Sequence, residues 1–134
     1  MLIGTNRGLY YLDPGTNLVK KHPLSGSLTG NEIKTMYEDR HHNLWIGTSQ
    51  GLNKVPFRQA GSKVQHFKNG NGPGTLPGDY ITSITEDKEG FIWIGTHHNG
   101  LCRFNPGDAS FSPLAALAED EHVRKIFVDD KNIF

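Results

Sequence analysis

The chain has 134 residues, 14 basic and 14 acidic side chains, seven His, 16 Gly and a single Cys. Zero formal net charge with no Lys/Arg run longer than two argues against nucleic-acid binding, which needs clustered positive charge. No apolar stretch approaches the roughly 20 residues of a membrane helix, no secretory leader pattern follows Met1, and one Cys excludes an internal disulfide or a Cys-rich zinc site. This length suits one domain, and abundant glycine with few helix-favouring runs points to short strands and turns.

In chain order, the first half-unit (residues 1–22) reads as three strands, Leu2–Thr5, Leu9–Leu12 and Leu18–His22. A first full unit (33–67) follows, with strands A to D at Ile33–Glu38, Leu44–Thr48, Leu52–Val55 and Val64–Phe67. The glycine-rich stretch Gly70–Gly74 looks like a phosphate loop, but Thr75-Leu76-Pro77 follows instead of a helix, so it reads as a plain connection. The second full unit (81–114) has strands at Ile81–Glu86, Phe91–Thr96, Leu101–Phe104 and Ser110–Leu114. Ser112 to Glu119 has a capping Ser, Pro at the first helical position and good helix formers, so a helical turn is expected there. A last half-unit (123–134) opens with a strand over Val123–Val128.

These units are copies of one pattern. Ile33-x-x-Met36-x-Glu38-Asp39, Leu44-Trp45-Ile46-Gly47-Thr48 and Gly51-Leu52 recur 48 residues later as Ile81-x-x-Ile84-x-Glu86-Asp87, Ile92-Trp93-Ile94-Gly95-Thr96 and, one residue further on, Gly100-Leu101. Ile3-Gly4-Thr5 with Gly8-Leu9 repeats the second half, and Val123 to Asp129 the first. Consecutive apolar residues, Ile92-Trp93-Ile94, mark a strand covered on both faces. Gly95 leaves room for a neighbouring sheet. Four strands per 40–50 residues with sheets buried on both faces is the pattern of a β-propeller, favoured over a β-sandwich with a duplicated hairpin because every unit keeps the motif. The fold class expected is all-β, a partial propeller of about three blade-equivalents. A ring takes about 4–8 blades, so the chain is expected to be a piece cut in phase with its repeat, completed by further blades or by other copies of itself.

This repeated motif closely resembles the two-component regulator propeller repeat. Met1-Leu2 stands in place of the first Trp, His42 in place of the turn glycine and Val128 in place of the last Glu. The resemblance implies the extracytoplasmic, periplasmic sensor region of a hybrid histidine kinase, in which propellers bind or transmit a ligand signal. It implies a non-catalytic segment without cofactor, with carbohydrate or another polar molecule as ligand and no membrane contact of its own. Two rival readings are a protein-interaction scaffold and, less favoured, a propeller lyase or hydrolase using His97 or His98.

Site candidates follow from the loops. Asp39 and Asp87 recur at one register with Trp45, Gly47, Trp93 and Gly95, and read as structural motif residues, the two Asp as turn acceptors rather than catalytic carboxylates. Cys102 reads as a small buried apolar residue, and Ser25, Ser27 and Ser49 as ordinary loop residues. His41-His42 and His97-His98 are adjacent pairs whose side chains would diverge in extended backbone, so no metal site is expected. The variable positions are Asn6-Arg7, Ser49-Gln50 and His97-His98-Asn99 between strands B and C, and Asn31-Glu32, Asp79-Tyr80 and Glu121-His122 before strand A. Both loop types emerge on one rim of a meander. Asn6, Arg7, Ser49, Gln50, Asp79, Tyr80, His97, His98 and Asn99 are therefore the ligand-contact candidates, with no catalytic residue among them.

Overall fold

Strand formation follows the repeat. A computed structural model describes residues 1–59, 61–70, 75–114 and 122–129. Its first sheet holds β1 (Leu2–Thr5), β2 (Gly8–Asp13) and β3 (Leu18–Lys21), in that order. The second runs β4 (Ile33–Glu38), β5 (Asn43–Thr48), β6 (Gly51–Pro56), β7 (Gln65–Phe67). The third runs β8 (Ile81–Glu86), β9 (Ile92–Thr96), β10 (Leu101–Asn105), β11 (Ser110–Pro113). All ladders within the sheets are antiparallel between chain neighbours, which makes each sheet a meander, and no sheet closes on itself. Among the described residues, no helix is long and apolar enough to cross a membrane.

The two full sheets share register in detail. Trp45 opposes Tyr37 and Trp93 opposes Thr85, while Ile46 faces Met36 and Ile94 faces Ile84. Both A strands slip by one residue at the same place, between Ile33 and Thr35 and between Ile81 and Ser83. One extra residue there increases the local bend.

Side chains of β5 alternate between two cores. Leu44 and Ile46 pack with Leu9 and Val55 between the first and second sheets. Trp45, only 1% exposed, enters the larger core between the second and third sheets, with Leu52, Ile81, Ile92, Ile94 and Phe104. Its ring meets Phe67 stacked at 6.0 Å and Phe104 edge-on at 5.2 Å. Cys102 is fully buried in this core, which pushes its thiol pKa up to about 12.

Glycine sets the spacing of the sheets. A Cβ at Gly47 would lie 2.5 Å from Cγ2 of Ile81, the first residue of the next A strand. Gly4 meets Ile33 at 2.5 Å, and Gly95 meets Val123 at 2.5 Å, in the same way. Arg40 adds a polar tie at the opposite end of the strands. Its Nε donates to Glu86 Oε2 at 3.1 Å, and its Nη2 donates to the carbonyls of Asp87 at 2.7 Å and Lys88 at 3.0 Å.

The A–B turns are built on aspartate. Asp39 Oδ1 accepts from the backbone N–H of His41 and Asn43, and Oδ2 accepts from Trp45 Nε1 at 2.8 Å. Asp87 likewise takes Phe91 N–H at 3.0 Å and Trp93 Nε1 at 2.7 Å. These acids fix turn and tryptophan together. His42 adopts φ 61°, the left-handed conformation that Gly90 takes at φ 90°.

Several expectations need correction. Residues 122–129 are assigned to no strand, although a strand was expected over Val123–Val128; the segment is held by single bonds, Val123 N–H to Thr96 O at 3.1 Å and Thr82 Oγ1 to Val123 O. Ser25 is no ordinary loop residue. It sits buried in a 3-10 turn (Pro23–Ser27), and its Oγ accepts from Leu9 N–H at 3.0 Å. Of the helical turn expected over Ser112–Glu119, Ser112 and Pro113 belong to β11 instead, and residues 115–119 lie outside those described, as do Gly72 and Gly74 of the glycine loop and the end of the last half-unit, 130–134.

Two predictions follow from this packing. Gly47→Ala forces the Ile81 contact apart and should lower stability by about 1–3 kcal/mol, read as a shift of the urea midpoint. Asp39 is opposed in its ionisation by burial, yet the hydrogen bonds from Trp45, Asn43 and His41 outweigh this and hold its pKa below the ordinary 3.8. Its ionised form therefore contributes stability that is complete above that value and is lost as pH falls through the lower folded pKa. Urea titrations at pH 7 and below pH 3 should show Asp39→Asn to be less stable than the parent at pH 7, with the gap narrowing in acid.

Candidate functional site

Each B–C loop is closed by the threonine that ends strand B. Thr5, Thr48 and Thr96 donate Oγ1–H to the carbonyls of Gly8, Gly51 and Gly100, at 2.9, 3.1 and 2.9 Å. The same hydroxyls accept from the backbone N–H of Arg7, Gln50 and Asn99, each at 3.0 Å. The loop side chains are thereby held outward at one rim. The segments leading into the A strands join them there, through Ser49 N–H to Glu32 O at 3.2 Å and His97 N–H to Tyr80 O at 2.9 Å.

Two groupings result. The first is a polar cleft of about 350 Å³ lined by Asn6 from the first sheet and by Asn31, Glu32, Ser49 and Gln50 from the loops of the second. Glu32 forms an ion pair with Lys34, whose hydrogen bond holds the carboxyl below its usual range. The second is a recess of about 490 Å³ lined by Thr82, His97, His122, Val123 and Arg124. In it the His97 ring lies 4.8 Å from Tyr80, and Lys34 Nζ stands 5.1 Å over the same tyrosine.

Of the nine sequence candidates, Asn6, Ser49 and Gln50 share the cleft, and Tyr80, His97 and His98 gather at the recess. The other three line neither. Arg7 lines a second, mostly apolar groove with Ile3, Tyr10, Val19 and the cleft residue Asn6. Asp79 is used in folding, accepting Asn69 N–H. Asn99 packs over Gly78, where a Cβ would come within 2.3 Å of its Oδ1.

The histidines differ most from the sequence reading. His97 and His98 occupy a bend after β9 rather than extended chain, so their rings converge, with Nδ1 of His97 2.8 Å from Nε2 of His98. His122 arrives from the following segment, its Nδ1 3.2 Å from Nε2 of His97. The one available signal was the repeat itself, since His122 precedes Val123 as Glu32 precedes Ile33 and Tyr80 precedes Ile81. Loss of hydration, then the positive potential of His122, His98, Lys34 and Arg124, lowers the His97 pKa.

A family model described as the two component regulator propeller matches residues 27–50 and 75–98. These two segments are two-component regulator propeller repeats. The matched segments contain strands A and B of both full sheets, with the Asp39–Trp45 and Asp87–Trp93 pairs. Solved structures share the propeller architecture. One, from B. thetaiotaomicron, is described as the extracellular domain of a one component system, BT4673; it is 23% identical with a TM-score of 0.77 and covers 97% of this chain and 17% of its own. A second structure, described as the extracellular domain of a hybrid two component system of the same designation and organism, is 25% identical with a TM-score of 0.69, over 90% of this chain and 15% of that one. A third is described as that of the hybrid two component system BT3049 from B. thetaiotaomicron, at 23% identity and a TM-score of 0.71, over 90% and 18%. The propeller repeats here thus span less than a fifth of the length of these structures. No curated protein matches the chain significantly.

Proposed function

We propose that this chain is a non-catalytic, ligand-recognising segment of an extracytoplasmic two-component sensor propeller, acting together with further blades of a longer chain. The observation that carries the reading is the rim cleft, where Asn6 of one sheet faces Ser49 and Gln50 of the next. A polar ligand held by both sheets would bind one inter-sheet arrangement better than another, and only such a difference can send a signal. The lining is amide, hydroxyl and a paired carboxylate, which suits the hydroxyls of a carbohydrate. The matched repeats and the extracellular domains that share the fold support the same reading.

Calorimetric titration with a panel of neutral oligosaccharides is expected to find a binder. Gln50→Ala and Asn6→Ala should each weaken it by about fivefold, the cost of roughly one hydrogen bond. A panel without a binder, or a binder indifferent to both changes, would overturn the cleft as the contact.

The sheet edges support the companion part of the proposal. β1, the counterpart of β5 and β9, is the outer edge of a three-stranded sheet, and among the described residues no strand fills the place beside it that β4 and β8 take in the other sheets. Unpaired strand edges recruit partners. Isolated, the 134-residue chain is expected to self-associate through this edge; sedimentation as a monomer at high concentration would rule that out.

A further inference from the structure

We propose that His97, His98 and His122 form a zinc site that clamps the loop after β9 to the segment leading into the next repeat. Each histidine offers one ring nitrogen, and these three atoms lie within 4.8 Å of one another. A tetrahedral zinc ion with Zn–N bonds of about 2.0–2.1 Å spaces its ligands by roughly 3.3 Å. His97 meets His98 through Nδ1 and His122 through Nε2, so binding needs the rings, which are exposed or half-buried, to turn until one His97 nitrogen faces both partners. The rings already converge edge-to-face, with centroids 4.1 Å (His97–His122), 4.2 Å (His97–His98) and 4.7 Å (His98–His122) apart.

The donor set selects the ion. Three imidazoles and, among the described residues, no carboxylate disfavour calcium and magnesium, which take oxygen ligands, and suit zinc with water in the remaining position. Lys34 and Arg124 keep the neighbourhood positive, which favours neutral imidazole but also opposes a dication. The affinity expected is therefore micromolar rather than that of a structural zinc finger.

The position explains what such an ion would do. Val123 packs on Gly95 as Ile33 and Ile81 pack on Gly4 and Gly47, and its backbone N–H donates to Thr96 O. Here the segment after the contact has no ladder with the described strands. An ion bound by His122 on one side and by His97 and His98 on the other would fasten that junction. The equivalent loop positions elsewhere, Asn6-Arg7 and Ser49-Gln50, carry no imidazole, so the clamp is particular to this repeat.

The test uses the tag-free 134-residue chain. Competition with a chromophoric chelator at neutral pH should show one zinc per chain, and cobalt substitution should give visible absorption typical of tetrahedral nitrogen ligation. His122→Ala and His98→Ala should each weaken zinc by at least about tenfold. His41→Ala and His66→Ala, which alter histidines elsewhere, should leave it unchanged. Zinc should raise the Tm of the parent chain and not that of His122→Ala. Absence of stoichiometric binding, or binding unaltered in both His122→Ala and His98→Ala, would overturn the site.

Discussion

The architecture depends on one close contact, the first apolar residue of a repeat set against a bare backbone in the preceding B strand. Ile33 on Gly4, Ile81 on Gly47 and Val123 on Gly95 all occupy space that any Cβ would fill. Removing that atom lets two twisted sheets meet face to face at their strands, and the apolar residues beside the glycine then fall into register. Trp45 and Ile81 share a core for this reason, and so do Ile46 and Ile33. Close packing makes such a spacing all-or-none, because neither a void nor an overlap of a methyl group is tolerated cheaply.

The aspartate–tryptophan pair of the two full sheets and the strand-end threonine of all three divide the remaining work between opposite sheet ends. At one end Asp39 and Asp87 hold turn backbone and indole with the same carboxylate. At the other, Thr5, Thr48 and Thr96 close the loops from within. Because both ends are satisfied by motif residues, the remaining loop positions are released from structural duty. Asn6, Gln50 and His98 can differ between repeats without disturbing the strands beneath them. The rim is thus where a repeat protein of this kind acquires individuality, and the polar cleft and the histidine cluster are two outcomes of that freedom.

Much of this was legible in advance. Ile33–Glu38 and Ile81–Glu86 form at the bounds that the repeat prescribes. Strand ends elsewhere moved by one residue or so, as at Gly51–Pro56, where ladder pairing extends beyond the apolar run. The rim was partly legible. Alternating strand direction puts Asn6, Ser49, Gln50, Tyr80 and His97 on one side, but it says nothing of Arg7 turning to a second groove or Asn99 lying over Gly78. Ser25 gave no signal at all, since a buried serine accepting one backbone N–H has the same sequence appearance as a loop serine.

The sequence by itself determined the repeat, the strand order within the leading half-unit and the two full units, the two-sided burial of β5 and the structural use of Asp39 and Asp87. These are properties of short segments, governed by side-chain alternation and by turn chemistry within a few residues. Tertiary structure alone decided which loops of neighbouring repeats meet. The convergence of His97 and His98 depends on a bend, and the arrival of His122 depends on Val123 reaching Gly95 across 28 positions of chain. Sequence spacing cannot encode a meeting of that kind, because it is set by how sheets pack and not by how far apart the residues lie along the backbone.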